Sequence, residues 1–381
     1  MSRYLLNGGN KTIFWPKIIE ISLQNLKHNL RAIKRLLPGN VEILAVIKND
    51  AYGHGLLEVA RALAEEKVFG FGIAEPQEAY LLRKAGLIHP LILLSGFERD
   101  WLPDIKALRI IPTVTNLETL EWLIDFTLKK GLSLEFHLKV DTGMHRFGVL
   151  PEDLPKIIDK LKENPQLHLT GLMTHLACGE KPEDPLFTRQ INIFREVEIS
   201  LKNQGVHPKH IHFCNSAGLI FCQEYRGNLV RPGIALYGGY PSYRARAHLR
   251  LKPVMTVKSR IVDIKGIKKG DTAGYGATFT AKRDSLLGLV PVGYGDGYPR
   301  ILSNRGFAVI RGRRVPVVGT VSMKALYLDL TDLELPHRGE EVILLGGERE
   351  EVPADELAQL AYTISYELFC NLGRAIPRRY V

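Results

Sequence analysis

The stretch Val41-Glu42-Ile43-Leu44-Ala45-Val46-Ile47-Lys48, followed by Asn49-Asp50-Ala51-Tyr52-Gly53-His54-Gly55, decides the architecture. An apolar, β-branched run closed by a glycine-bearing turn reads as a buried parallel strand feeding a loop. Lys48 stands at the mouth of that strand, where apolar walls disfavour its charged form and leave part of the amine neutral, the state that Schiff-base chemistry requires. Tyr52 can aim a phenolic O–H at something bound beside the amine, and Gly53 and Gly55 let the backbone come close.

Outward from this segment, short apolar runs alternate with amphipathic stretches up to about Gly239. Strands are expected over Val41–Lys48, Phe69–Ala74, Pro90–Leu94, Ile110–Val114, Leu134–Val140, Leu167–His175, His210–Cys214 and Asn228–Arg231. Helices are expected over Leu23–Leu37, Leu56–Glu66, Pro76–Ala85, Leu117–Lys130, Leu154–Lys162 and Phe187–Gln204. Pro103 and Pro112 interrupt the third and fourth units. Such a succession predicts an α/β chain with an N-terminal (β/α)8 TIM-like barrel; a doubly wound open sheet would not need eight units in regular order. After Pro241, short strand-type runs from Val254 to Leu345, separated by Gly, Asp and Asn turns, predict a C-terminal, mostly antiparallel β domain, with one helix from Ala354 to about Cys370. The expected division is an extension and strand over 1–17 packing on the C-terminal domain, a barrel over 18–245 and a β domain over 246–381.

The bulk properties narrow the function class. The chain has 381 residues, 45% hydrophobic and 24% charged, as an ordinary two-domain globular protein does. Its net charge of +10 is scattered along the chain, with no basic run interleaved with aromatics, so a nucleic-acid surface is not expected. Cys178, Cys214, Cys222 and Cys370 include no C-x-x-C pair, which favours reduced thiols over disulfides or zinc. Met1 to Lys11 lacks the apolar stretch of a signal peptide and no run has the length of a membrane span, so a cytoplasmic location is expected.

In a barrel of this kind the chemistry gathers at the C-terminal ends of the strands, and phosphate commonly binds after the seventh and eighth. Those ends read Lys139-Val140-Asp141-Thr142-Gly143-Met144-His145-Arg146 for the fifth strand and Met173-Thr174-His175 for the sixth. They read Cys214-Asn215-Ser216-Ala217-Gly218 for the seventh and Arg231-Pro232-Gly233-Ile234-Ala235 for the eighth. The Ser216 hydroxyl and the N–H groups of Gly233 and Ile234 are candidate phosphate donors.

The Lys48 segment resembles the pyridoxal-phosphate lysine segment of the alanine racemases, usually A-V-x-K-x-x-A-Y-G-H-G, and the resemblance runs from about Trp15 to Arg379. It implies pyridoxal 5'-phosphate (PLP) bound covalently at Lys48, with Tyr52, His175, Asn215, Ser216, Arg231, Gly233, Ile234 and Tyr366 around it. Arg231 is implied to face the pyridine nitrogen. Because arginine keeps its proton, that nitrogen would stay unprotonated and the ring would be a muted electron sink. Arg146 and the Met323 backbone are implied to hold the substrate carboxylate, and Arg300 to lie near the channel into the site. The resemblance implies that Lys139 can be carbamylated, as the matching lysine often is; the residues alone equally allow a pair with Asp141 or another carboxylate. Tyr275, in Asp271-Thr272-Ala273-Gly274-Tyr275-Gly276-Ala277, matches the second acid/base group.

The implied reaction is interconversion of L- and D-alanine, supplying D-alanine for peptidoglycan. Lys48 and Tyr275 would work on opposite faces of the α-carbon, in a homodimer whose copies share their sites. One position departs from the pattern: Lys324 stands where the family usually has aspartate. That departure keeps open a racemase of broader specificity, acting on serine or longer side chains. A related PLP decarboxylase would carry a glycine-rich phosphate loop and a cysteine-bearing β-domain segment that this sequence lacks. A non-catalytic PLP-binding regulatory protein would be a barrel alone.

Overall fold

The computed structural model describes residues 16–222 and 226–381. Residues 1–15, most of the expected N-terminal extension, lie outside the described residues. The first strand, β1 (Lys17–Ile21), is followed by a helix, Leu23–Leu36, whose start is fixed by the Ser22 side chain accepting from the Asn25 N–H.

The eight expected barrel strands all form, as β2 (Glu42–Val46), β3 (Gly70–Ile73), β4 (Leu91–Leu93), the pair β5 (Ile110–Ile111) and β6 (Thr113–Val114), β7 (Leu134–Lys139), β8 (Leu167–Met173), β9 (His210–His212) and β10 (Leu229–Val230). They run in the order β10-β2-β3-β4-β5 and β6-β7-β8-β9, every neighbour parallel. Pro112 splits the fourth strand because it has no N–H to give; its carbonyl still accepts from His137 N–H at 2.9 Å, which carries the sheet across the break. The circle closes between β9 and β10 through Asn228 N–H to Ile211 O, 3.0 Å, and Arg231 N–H to Cys214 O, 2.8 Å. Inside it, Leu44, Ile92 and Leu229 pack with Phe69, Leu94 and Ile111.

Pro103, which reads as an interruption, instead begins a helix not expected from the sequence, Leu102–Ala107, at a position where a missing N–H costs nothing. A second unexpected helix, Ser216–Phe221, follows β9. Near the C-terminus the single expected helix is two, Ala354–Leu360 and Ser365–Ala375. Tyr362 between them has φ 53°, and Thr363 N–H folds back to Ala358 O at 2.9 Å, so the first helix cannot continue.

The second domain is built on a nine-stranded sheet that holds both β1 and the last strand, Arg378–Tyr380. β1 pairs antiparallel with Met255–Arg260 and parallel with Arg378–Tyr380. The chain passes between the domains beside Asn29, which is fully buried. Its Nδ2 donates to Leu236 O (3.1 Å) and Lys252 O (2.8 Å), and its Oδ1 accepts from Lys252 N–H (2.7 Å). A buried amide so satisfied fixes the crossing chain against the first helix.

Candidate active site

Directly after Lys48 the backbone does something the sequence does not announce. Asn49, Asp50, Ala51 and Tyr52 all have φ between 53° and 55°, a left-handed turn of four non-glycine residues. Each such residue costs on the order of 1–2 kcal/mol, so the turn must be held from outside. The Asp50 carboxylate accepts from Leu56 N–H at 2.8 Å and pairs with Arg378, which also donates to Gly53 O at 3.0 Å. Arg374 donates to Asn49 Oδ1 at 2.8 Å, and the buried Glu78 carboxylate accepts from the Asn49 and Ala74 N–H groups. His54 Nδ1 lies 3.1 and 3.0 Å from the carbonyls of Ala51 and Tyr52 and donates to them; burial lowers its pKa to about 3, so it does so as a neutral ring. The glycines of the motif serve the same purpose. A Cβ on Gly53 would lie 2.3 Å from Phe369 O, and one on Gly373 would lie 2.1 Å from Gly53 O. The turn therefore rests directly on the backbone of the helix Ser365–Ala375.

The turn delivers Lys48 to a cavity of about 420 Å³ at the C-terminal end of the barrel. Lys48, Tyr52, Lys139, Arg146, His175, Asn215, Ser216, Arg231, Gly233, Ile234 and Tyr366 all line it. So do Glu180, Ser95 and Phe147, which the sequence did not single out. Four cations thus face one acid, and among the described residues none of the four is in an ion pair. Burial lowers the Lys48 pKa, with Arg146 and Arg231 adding to the effect against Glu78 and Cys370.

Arg231, a buried residue lining the cavity, is held by neutral acceptors. Nη1 donates to His212 O at 2.6 Å and stands 3.1 Å from His212 Nδ1; Nη2 donates to Thr174 O at 2.6 Å and Phe213 O at 3.2 Å. Burial lowers its pKa to about 10, which still leaves it charged at neutrality. Since Arg231 can only donate, His212 Nδ1 must accept, and its Nε2–H then donates to His137 Nδ1 at 2.9 Å. These two histidines were missed in the sequence; their one visible signal is the alternation with apolar residues on β7 and β9. His175 is held neutral by burial and by the Arg231 charge, with Asn215 Nδ2 3.5 Å from its Nε2.

At the other end of the cavity, Ser216 Oγ accepts from Gly233 N–H (3.0 Å) and Ala235 N–H (3.3 Å), leaving its own proton to donate. The Gly233 donor is therefore lent to Ser216 rather than free. Asn215 Oδ1 caps the short helix behind it, accepting from Ala217 and Gly218 N–H at 3.1 and 2.9 Å. A Cβ on Gly233 would fall 2.5 Å from the Tyr52 hydroxyl, so the phenol and this backbone share one corner, with the Tyr366 ring 6.0 Å from that of Tyr52. Burial pushes both phenols well up, so they remain protonated donors.

Among the described residues Lys139 has no acid partner. Its Nζ lies 3.3 Å from Leu94 O and over the Phe147 ring, and burial together with Arg231, Arg146 and Lys48 lowers its pKa to about 7. Asp141 turns away to the Gly143, Met144 and His145 N–H groups, so the alternative Lys139–Asp141 pair does not form.

Three expected residues lie elsewhere. Tyr275 is 73% exposed, between Gly274 and Gly276 at φ 76° and 71°. Met323 is 58% exposed. Arg300 borders a second cavity of about 500 Å³ with Tyr294, Tyr298, Tyr362, Glu367 and Arg374.

Comparison with known proteins matches this arrangement along almost the whole chain. The family model for the alanine racemase N-terminal domain covers residues 21–241, and that for the alanine racemase C-terminal domain covers 254–380. The chain belongs to the alanine racemase family. The alanine racemase of Sorangium cellulosum is 39% identical over 376 residues, covering 96% of this chain and 99% of that protein. The solved alanine racemase of Clostridium difficile 630 superposes with a TM-score of 0.90 at 34% identity, covering 97% of each chain. That of Bartonella henselae, solved with covalently bound pyridoxal phosphate, gives 0.88 at 30% identity over 96% of this chain and 99% of that one. Among the described residues no helix is long and apolar enough to cross a membrane.

Proposed function

We propose that this protein interconverts L- and D-alanine with PLP held at Lys48. The observation that carries the reading is a lysine of lowered pKa opening into a cavity with three further unpaired cations, one of them, Arg231, anchored by neutral acceptors. The residues fit the cofactor: an amine for its aldehyde, a donor-only guanidinium for its ring nitrogen, and, for its phosphate, the corner of Ser216, Ile234, Tyr52 and Tyr366, in which Gly233 N–H holds the Ser216 hydroxyl. When bound, PLP supplies the electron withdrawal that makes an amino acid's α-proton removable.

The chain's own groups then divide the work. Arg231 offers hydrogen bonds and keeps its proton, so a ring nitrogen held by it would stay unprotonated and electron withdrawal would be moderate. That suits an enzyme that only moves one proton. His175, neutral, lines the cavity and would pack beside the cofactor without adding charge. Lys48, relieved of part of its proton affinity by burial, can take the α-proton on one face.

Inversion needs a second group on the opposite face, and Tyr275 is assigned that role. Its exposure, and that of Met323, supports a homodimer in which these two residues serve the cavity of the other copy. Arg146 and the Met323 backbone would receive the substrate carboxylate, and Arg300 would border the approach channel. The surroundings of Lys139 support carbamylation: a neutral amine bonds to the carbon of CO2 and releases a proton, and the anion formed is welcomed by Arg231, Arg146 and Lys48. Free cysteines among the described residues are compatible with a cytoplasmic setting, where D-alanine would serve peptidoglycan synthesis.

The test is polarimetry on L-alanine with the wild type and Tyr275→Phe. The variant should lose on the order of 10²–10⁴ in turnover while keeping the borohydride-reducible visible absorbance of a lysine-bound cofactor. An unchanged rate would refute the two-face assignment.

A further inference from the structure

Lys324, the residue that departs from the family pattern, is 62% exposed along its side chain, yet its ammonium is engaged with the neighbouring loop. Its Nζ lies 2.6 Å from Asp296 Oδ1 and 3.3 Å from Gly295 O. Asp296 is 1% exposed, and its other oxygen is occupied by Lys17 Nζ at 2.7 Å and by the Gly293 N–H at 3.1 Å. Lys17 also donates to Pro291 O at 3.0 Å. One buried carboxylate therefore joins β1, the 293–296 loop and the 322–324 loop.

The two loops are also zipped along their backbones. Tyr294 N–H donates to Ser322 O at 3.0 Å and Gly295 N–H to Met323 O at 2.9 Å. A Cβ on Gly293 would stand 2.1 Å from Ser322 O and 2.6 Å from Met323 O, so the backbones are in contact. Lys324 is the side chain that continues this zipper past Met323. Both of its acceptors lie in the 293–296 loop, so its ammonium ties the 322–324 loop to that loop.

We propose that Lys324 is a positioning residue for the substrate carboxylate: its ion pair with Asp296 fixes the Met323 backbone at the place it presents to the second copy's cavity. This inference rests on the function proposed above. Lys17 shares the carboxylate but gives its hydrogen bond to Pro291 O rather than to the 322–324 loop, so it serves as the internal control.

The experiment is steady-state kinetics on the full-length enzyme with L-alanine. Lys324→Met should raise KM about tenfold while kcat changes less than about threefold, because carboxylate placement is loosened and the proton-transfer groups are untouched. Lys324→Arg should recover most of the KM. Lys17→Met should lower the melting temperature yet leave KM within about twofold of wild type. An unshifted KM in Lys324→Met, or equal KM shifts in Lys324→Met and Lys17→Met, would overturn the proposal. Should Lys324→Met precipitate, Lys324→Gln, which removes the charge but keeps a hydrogen-bond donor, is read by the same KM criterion. A wild type that turns over no alanine would instead sink the function on which the proposal rests, so the two failures are separable.

Discussion

The Lys48 region and the Tyr275–Met323 region are opposite solutions to placing a reactive group. Around Lys48 the chain accepts four left-handed residues and surrounds them with Asp50, Glu78, Arg374, Arg378 and His54, all from within the same polypeptide. Around Tyr275 it does the reverse. The phenol is 73% exposed on a glycine-flanked turn, tied to its neighbours by its own carbonyl, which accepts from Thr320 Oγ1 at 2.8 Å. In the proposed function the first region is a finished half-site and the second a half-site turned outward. A group that must be strained and desolvated is best built by one chain, whereas a group that must reach across the substrate can be supplied by another.

The largest effects should come from removing either group. Lys48→Ala should abolish both turnover and covalent cofactor, whereas Tyr275→Phe should abolish most turnover and keep the cofactor, as absorbance before and after borohydride will report. If Tyr275→Phe also lost the cofactor, the two halves would not be separable as described.

Acid should attack the built-in half. His54 and His137 have folded pKa values of about 3, both lowered chiefly by burial, against about 6.5 unfolded. Between those values the unfolded chain binds more protons, so stability is full above about pH 6.5 and is lost as pH falls toward 3. Between pH 7 and pH 5 the expected loss is about 2 kcal/mol for each histidine, partly opposed by Glu78 and Asp355, whose carboxyls burial pushes up. Denaturant titrations at the two pH values measure it; equal stability would mean these rings are not buried neutral.

A smaller effect should follow from wedging the turn off its support. Gly373→Ala puts a Cβ 2.1 Å from Gly53 O and should cost about 1–3 kcal/mol. Gly39→Ala, with nothing within 4 Å, should stay within about 0.5 kcal/mol. Thermal melts of the pair decide whether the contact matters.

Much of the barrel was legible because period and punctuation agree: β-branched runs, amphipathic stretches and glycine turns all give the same eight units. The prolines misled in opposite directions. Pro103 starts a helix and Pro112 breaks a strand without breaking the barrel, and only the partners of their neighbours distinguish these outcomes. The cavity residues were readable as a set of strand ends, but not their hydrogen bonds. The left-handed turn was not readable, because Asn49 and Asp50 tolerate that conformation singly but Ala51 and Tyr52 do not favour it and a run of four is rare; it is imposed by Glu78, Arg374 and Arg378, distant in sequence. His137 and His212 escaped for a related reason, since a histidine on a strand declares its role only once its neighbour on another strand is known. Lys324 stood out as a charge reversal, and only Asp296 beside it shows where that charge goes.

The central claim, that two copies of this chain complete each other's sites, is tested most directly by mixing two inactive variants. Lys48→Ala and Tyr275→Phe, dissociated and reassembled together, should recover about a quarter of wild-type racemase activity, because half the dimers are mixed and each contains one site with both groups intact. Activity that stays at the level of the separate variants, in a mixture shown by mass spectrometry to contain the mixed dimer, would contradict the account.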